Sequence, residues 1–379
     1  MLAPLAGIGD SLMCGLEGYD IVPEQSFFAH LSRGAGQSLD LPRVRWNFAP
    51  FRELAHRRAD SLAAARAIAV LRSHTIELTV EHAPPLRHLF AAPGFPARWL
   101  SWAHEETRGL PHHLRLLARP FLNPLGATPA SALERALCAG PAASYILWLG
   151  GVDWVSNLLG ARRRLPKLGQ RLASQIRHLI LRLGAAHRAA GWAAPRFILG
   201  GLVDPLRLPL VSPCGRGGLT FAFLPERQEP VLTATEGSEI RRAVAALNLE
   251  LAQFMHDLDG VFVDLDAHFA RARDEAEVRG DGWSVPTEHL ISADLVHPTA
   301  TGHAVIAHWF RDAIVRELGA DLEPPDVATI WRAEKARLEA RDPEAARPLV
   351  RALYEEFLYR PNTESTAETG EDRLAKRAA

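Results

Sequence analysis

Three side chains near the two ends of this chain have the types and the setting that nucleophilic acyl chemistry needs. Ser11 stands in "GIGDSLMCG", directly behind a short apolar run, and Asp294 and His297 stand three apart in "ISADLVHPTATGHAVIA". A serine hydroxyl becomes a competent nucleophile only when a base within hydrogen-bond reach takes its proton and a third group orients that base. A carboxylate three residues before an imidazole, both on a loop entering a helix, can accept the Nδ1 proton and leave Nε2 facing the serine. Pro298, next to the histidine, suits the first turn of that helix. Each block also has a plainer reading: Ser11 as the cap of a following helix, and Asp294 as the cap of an exposed turn.

For these groups to meet, the chain between them must fold into a scaffold that returns its far end to its beginning. Short apolar runs alternate with long amphipathic ones up to about residue 318, the rhythm of a parallel sheet covered by helices. The strand candidates are residues 5–9, 87–91, 144–150, 196–202 and 260–265. Leu168, Leu172, Ile176, Leu179 and Leu183 form one helical stripe, and Ile240, Val244, Leu247, Leu251, Phe254 and Leu258 form another. Ile306, Phe310 and Ile314 repeat the step after the last strand. In an open sheet of this kind ligands bind beyond the carboxyl ends of the strands, and Ser11 follows the first strand at such a place.

The expected organisation is a main domain over residues 1–320 with an insertion at about 36–86, a helical extension over 321–359, and a disordered tail over 360–379. Within the insertion a helix is expected at 52–72 and a short strand at 75–80. Residues 212–230, punctuated by Gly and Pro without periodicity, read as a long loop. Two charged helices are expected at about 326–341 and 343–358. The tail is too polar to repay the entropy of ordering.

Composition narrows the partners. The formal net charge of -1 gives no basic footprint for nucleic acid, and no window approaches the run of apolar residues that a membrane span needs. Cys14, Cys138 and Cys214 are too scattered for a disulfide framework or a metal site and read as small buried hydrophobes. The start "MLAPLAGIGD" lacks the basic region and apolar stretch of an export signal, so a cytoplasmic location is expected for the chain as it stands, or export if a leader has been removed. Other polar candidates fare worse than the serine blocks. His112 and His113 are adjacent and would point apart on a regular element, and Asp264 with Asp266 reads as a polar strand end. Trp148, Trp154, Leu158 and Leu159 could line an acyl pocket but read mainly as core.

Taken together, four blocks resemble the GDSL or SGNH-hydrolase family of esterases and lipases. Gly9-Asp10-Ser11-Leu12 is similar to the family's first block, and Asp294 to His297 to its DxxH block. "LFAAPGFPARWL" resembles the second block, with Gly94 in the place whose N–H joins the oxyanion hole. "YILWLGGVDWV" resembles the third, with Gly150 and Asp153 matched, and the resemblance spans residues 5 to about 318. It implies a three-layer α/β/α sandwich around a parallel, flavodoxin-like sheet, and hydrolysis of a carboxylic ester without metal or organic cofactor. It further implies Ser11 as nucleophile, His297 as base, Asp294 as its orienter, and the N–H groups of Ser11 and Gly94 as oxyanion donors. One departure stands out: Val152 occupies the place of the family's asparagine, whose amide donates to the developing oxyanion. Loss of one such donor typically lowers kcat by about 10²–10³. The rival implied by that valine is a weakly active or inactive ligand-binding protein on the same fold.

Overall fold

The structure, a computed structural model, describes residues 2–17, 20–46, 78–82, 88–91, 132–159, 165–214, 217–223 and 230–339, together with 347, 350 and 351. The expected helices at 52–72 and 343–358, the histidine pair at 112 and 113, and the tail at 360–379 lie outside the described residues or nearly so.

All five apolar runs read as core strands become neighbours in one parallel sheet. They are β1 (Leu5–Gly9), β6 (Leu89–Ala91), β7 (Ser144–Trp148), β8 (Arg196–Gly200) and β12 (Val261–Val263), in the order β12-β8-β7-β1-β6. Numbered within the sheet by chain order, this is 5-4-3-1-2, the flavodoxin-like order read from the far edge. The chain reverses direction across the sheet between β1 and β7, and the crevice beyond their carboxyl ends is the place such a sheet offers a ligand. Each observed strand is shorter at its C-terminal end than its apolar run or equal to it. The surplus residues, such as Leu149, Gly150, Gly201 and Leu202, form the loops above the sheet.

Between the strands run helices α1 (Phe27–Gly34), α2 (Ala132–Cys138), α3 (Gly151–Leu159), α4 (Leu165–Ala189), α5 (Ala234–His256), α6 (Leu265–Glu275), α7 (Ala300–Leu318) and α8 (Val327–Glu339). Period-two alternation in β7 assigns them to two layers. Tyr145 points to one face, stacking on Phe197 and meeting His187 of α4, whose partner in packing is α5. Trp148, three residues on, points to the other face and meets Phe27 of α1 and Phe310 of α7. Phe27 and Phe310 stack at 5.0 Å between centroids. The leucine stripe of α4 and the stripe from Ile240 to Phe254 are buried as their spacing predicts. Leu258 is not: α5 ends at His256, so Leu258 lies past the helix and is exposed.

Outside the main sheet, short antiparallel pairs decorate the edges. β2 (Leu16–Glu17) pairs with β3 (Asp20–Ile21), and β13 (Glu277–Gly280) with β14 (Trp283–Pro286). In the inserted segment β4 (Arg43–Trp46) pairs with β5 (Leu78–His82), so the strand expected at 75–80 is met over residues 78–80 and runs two residues further, residues 75–77 lying outside the described ones. Residues 212–230 correct the reading of a long loop. β9 (Val211–Cys214) and β10 (Gly218–Phe221) form a hairpin to which β11 (Leu232–Thr233) adds a third strand. Gly217, with φ at +78°, leads into β10, and strands of two to four residues are too short to show a period. Among the described residues no helix is long and apolar enough to cross a membrane.

The C-terminal helix α8 docks on α7 through a polar contact. Glu334, buried at 4% exposure, accepts hydrogen bonds from the Thr301 N–H at 2.8 Å and the Thr301 hydroxyl at 2.5 Å. A carboxylate there satisfies a donor that the start of α7 cannot pair within its own helix and complements the positive helix end. Glu334→Ala strands that buried N–H, at an expected cost of about 1–3 kcal/mol. Thermal unfolding should show a clear drop in Tm, with a smaller one for Glu334→Gln, which keeps an acceptor. An unchanged Tm for the alanine variant would mean that α8 does not sit on α7 in solution.

Candidate active site

β1 delivers the first candidate side chain, Ser11. Its glycines allow close packing: a Cβ on Gly9 would lie 2.7 Å from the Trp148 carbonyl oxygen of the neighbouring strand, so the chain must be bare there to bring β1 against β7. Immediately after, residues 11–15 turn tightly, with Cys14 N–H donating to the Asp10 carbonyl and Leu16 N–H to the Ser11 carbonyl, before the chain enters β2. No helix starts at this turn. The first helix, α1, is capped by Ser26, whose Oγ accepts from the Ala29 N–H at 3.1 Å. The helix-cap reading of Ser11 is therefore set aside by the local fold.

The loop before α7 delivers the other two. Ile291 and Pro298 bridge across the base of the loop, and the Ser292 N–H donates to the His297 carbonyl. Pro298 does not open the helix, as its position next to His297 suggested. Thr299 is the N-cap, its hydroxyl accepting from the Gly302 N–H, so Pro298 lies just outside. Gly302 is required in that first turn, since a Cβ would come within 2.1 Å of the Leu290 carbonyl oxygen. Leu295, between the aspartate and the histidine, holds φ at +69°, a left-handed conformation costly for a branched side chain. The bonds around it hold the strain in place.

These elements bring Ser11, His297 and Asp294 into one line. Ser11 Oγ lies 2.8 Å from His297 Nε2, and His297 Nδ1 lies 2.5 Å from Asp294 Oδ2. The other carboxylate oxygen, Asp294 Oδ1, accepts from the Ser292 hydroxyl and from the N–H groups of Val296 and His297, all at 2.9–3.0 Å. With both its oxygens occupied, Asp294 has little freedom to rotate, and it fixes the ring in the tautomer that presents Nε2 to the serine. Burial opposes ionisation of Asp294, but His297 and the two backbone N–H groups outweigh it and hold the carboxyl below its ordinary range. Burial likewise disfavours a charged His297, yet Asp294, and then Asp10, more than offset this and raise the affinity of the ring for its proton. Ser11 and Asp294 are buried, and His297 is the most accessible of the three.

Other groups crowd behind the site. His303 on α7 donates through Nε2 to the Leu16 carbonyl at 3.4 Å, and burial pushes its ring down to about 4. His30, pushed down to about 3 by burial and by Arg33, lies close enough to feel His303. Both therefore remain neutral when the His297 ring titrates.

The third block forms the wall next to β1. Gly150 has φ at +98°, which lets the chain break from β7 into α3, and Val152 sits half-buried in the first turn of that helix. The Val152 N–H is directed at the Asp10 carboxyl. Valine brings no side-chain donor to this wall. Gly94 lies outside the described residues. Trp148, Trp154 and Leu158 are buried core. Asp264 caps α6, accepting from the Ala267 N–H, and Asp266 pairs with Arg207 at 2.9 Å, so both acidic residues have structural partners. Among the described residues no group of three or more His, Cys, Asp or Glu side chains is arranged to hold a metal ion. Two participants were not visible in the sequence motifs: Ser292, which braces Asp294, and Glu334, which docks behind the loop. A serine two residues before the aspartate was the only available signal for the first.

No protein-family model matches the chain. No curated protein matches it either. Among solved structures, phospholipase A1 from Streptomyces albidoflavus NA297 is similar at 14% sequence identity and a TM-score of 0.32, over 84% of this chain and 98% of that one. Likeness at that level assigns neither activity nor site residues to this chain.

Proposed function

We propose that this chain hydrolyses carboxylic esters through Ser11, His297 and Asp294. The observation that carries the reading is the continuous hydrogen-bonded line from Ser11 Oγ through the imidazole to Asp294, placed at the carboxyl end of β1. In this reading Ser11 Oγ attacks the ester carbonyl while His297 Nε2 takes its proton. The protonated ring, steadied by Asp294, then returns the proton to the departing alcohol, and water repeats the sequence to release the acid. The N–H groups of Ser11 and Gly94 are the proposed donors to the tetrahedral oxyanion. Acyl transfer to water needs a nucleophile, a base and such donors, so no cofactor is invoked. A series of p-nitrophenyl esters from acetate to palmitate tests the activity and ranks acyl chains. Absence of turnover on every member, together with no labelling by a fluorophosphonate, would overturn it.

The rival reading, a binding protein that retains the crevice, draws on one feature, the missing donor at Val152. Val152→Asn tests the two against each other. An added amide that faces the oxyanion stabilises charge present only in the transition state, so kcat should rise about tenfold or more with little change in KM. No rise in a folded variant would mean that residue 152 does not face the oxyanion.

A further inference from the structure

The buried carboxyl of Asp10 is a polar feature of the site that the serine, histidine and aspartate leave unused. Asp10 is 1% exposed and immediately precedes the nucleophile. Its Oδ1 accepts from the Leu12 N–H at 3.1 Å, and the N–H groups of Val152 and of Asp10 itself also point at the carboxyl. Its Oδ2 has no hydrogen-bond partner among the described residues and faces Gly151, where a Cβ would lie 3.7 Å away. A carboxylate enclosed with one oxygen unpartnered is a costly thing to keep charged. The charge that answers it is that of His297, which lies close enough for the two to interact.

We propose that Asp10 is a positioning residue for the catalytic base: its negative charge stabilises the imidazolium that His297 becomes, acting from the turn that bears Ser11, while its oxygens tie that turn to the start of α3. This rests on the reading of Ser11, His297 and Asp294 as a hydrolytic site. Two carboxylates then serve one imidazole, Asp294 by a direct bond to Nδ1 and Asp10 through space from the residue next to Ser11, whose Oγ lies 2.8 Å from Nε2.

The charges around both groups permit this. His297 is faced by Asp294, by Asp10 and by His303 of α7. Asp10 is faced by His297 and by Cys14, whose thiol is raised well above its ordinary value by burial and by Asp10, with Arg135 opposing. His303 is neutral and Cys14 uncharged between about pH 5 and 8, the range in which an imidazole titrates. Above about pH 6, where Asp10 is ionised, the two carboxylates are the charges that act on the ring among the described residues. Burial lifts Asp10 from its ordinary 3.8 to about 6, against the Leu12 N–H and His297, which lower it. The folded state thus binds the Asp10 proton more tightly than the unfolded one. The sign follows: this group favours the fold increasingly as pH falls from above 6 toward 3.8, and works against it at neutral pH. A charge held there at neutral pH works against folding and in favour of the protonated base.

Asp10→Asn keeps the shape and an acceptor oxygen for Leu12 while removing the charge. With histidine labelled at Cε1, the NMR titration midpoint of His297 should fall by about half a pH unit or more, since loss of a nearby opposite charge disfavours the charged ring. The acid limb of the fluorophosphonate labelling rate should move down by the same amount. A His297 midpoint unchanged within about 0.1 unit would overturn the proposal, because loss of a purely structural tie leaves the ring's charge balance alone. Should the variant fail to fold, the parent protein decides. There the His297 signal should show a second inflection that coincides with titration of the Asp10 carboxyl carbon, and a single inflection would overturn the proposal. If the parent does not label with the probe, the hydrolytic reading fails, while the two NMR titrations still decide whether Asp10 acts on His297.

Discussion

Ser11→Ala is expected to lower ester turnover by a factor on the order of 10⁶ and to abolish covalent labelling, with the circular dichroism spectrum unchanged. The magnitude follows from the position of the hydroxyl. Ser11 Oγ is 2.8 Å from the only ring nitrogen that can take its proton without breaking the bond to Asp294. Its removal leaves the base and the oxyanion donors with no nucleophile, so what remains is the slow attack of bound water. The fold should not notice, since the turn at residues 11–15 is held by backbone bonds from Cys14 and Leu16 and not by the serine side chain.

A second large loss is expected for Asp294→Asn, on the order of 10⁴ in kcat with KM little changed. An amide can still accept through its oxygen from the Ser292 hydroxyl and from the N–H groups of Val296 and His297, which the carboxylate's Oδ1 does now. Its nitrogen then replaces Oδ2 and donates to Nδ1, so the proton moves to Nε2 and the ring faces Ser11 in the wrong tautomer. The charge that stabilises the imidazolium is lost as well. The pH profile should change with it. Asp294 contributes to the raised proton affinity of His297, so the acid limb of kcat/KM in the variant should move to lower pH. Activity within about twofold of the parent would place the orienting group elsewhere.

How far the sequence foretold this arrangement depends on the kind of signal each residue carries. Every strand of the main sheet was legible because a strand buried on both faces must be a short apolar run, and Leu5–Gly9, Ser144–Trp148 and Arg196–Gly200 are such runs. The spacing of Asp294 and His297 was legible for a similar reason, since a bond from a carboxylate to a ring three residues away is made within one loop. Other features depend on contacts far apart in the chain. Whether Ser11 capped a helix or sat in a turn was decided by the close packing of β1 on β7 and by the pairing of Leu16 with Ile21. The three short strands between Val211 and Thr233 stabilise one another, and none has a period long enough to be read alone. Glu334 reads as one more charge on an exposed helix until α8 folds onto α7 and buries it. Asp10 reads as a motif letter, and its burial beside His297 follows only from the way α3 closes over the turn. Val152 was legible as a departure by its type, and the direction of its N–H toward Asp10 belongs to the fold alone.

Ser11 Oγ is the atom expected to form the covalent bond, and one measurement addresses it directly. The intact protein is incubated with a fluorophosphonate at neutral pH, digested, and the modified residue located by tandem mass spectrometry, with heat-denatured protein as the control. The expected result is a single phosphonylated site at Ser11, formed only in the folded protein and faster as pH rises through the titration of His297. Modification of any other residue in the folded protein, or equal labelling of Ser11 after denaturation, would contradict it.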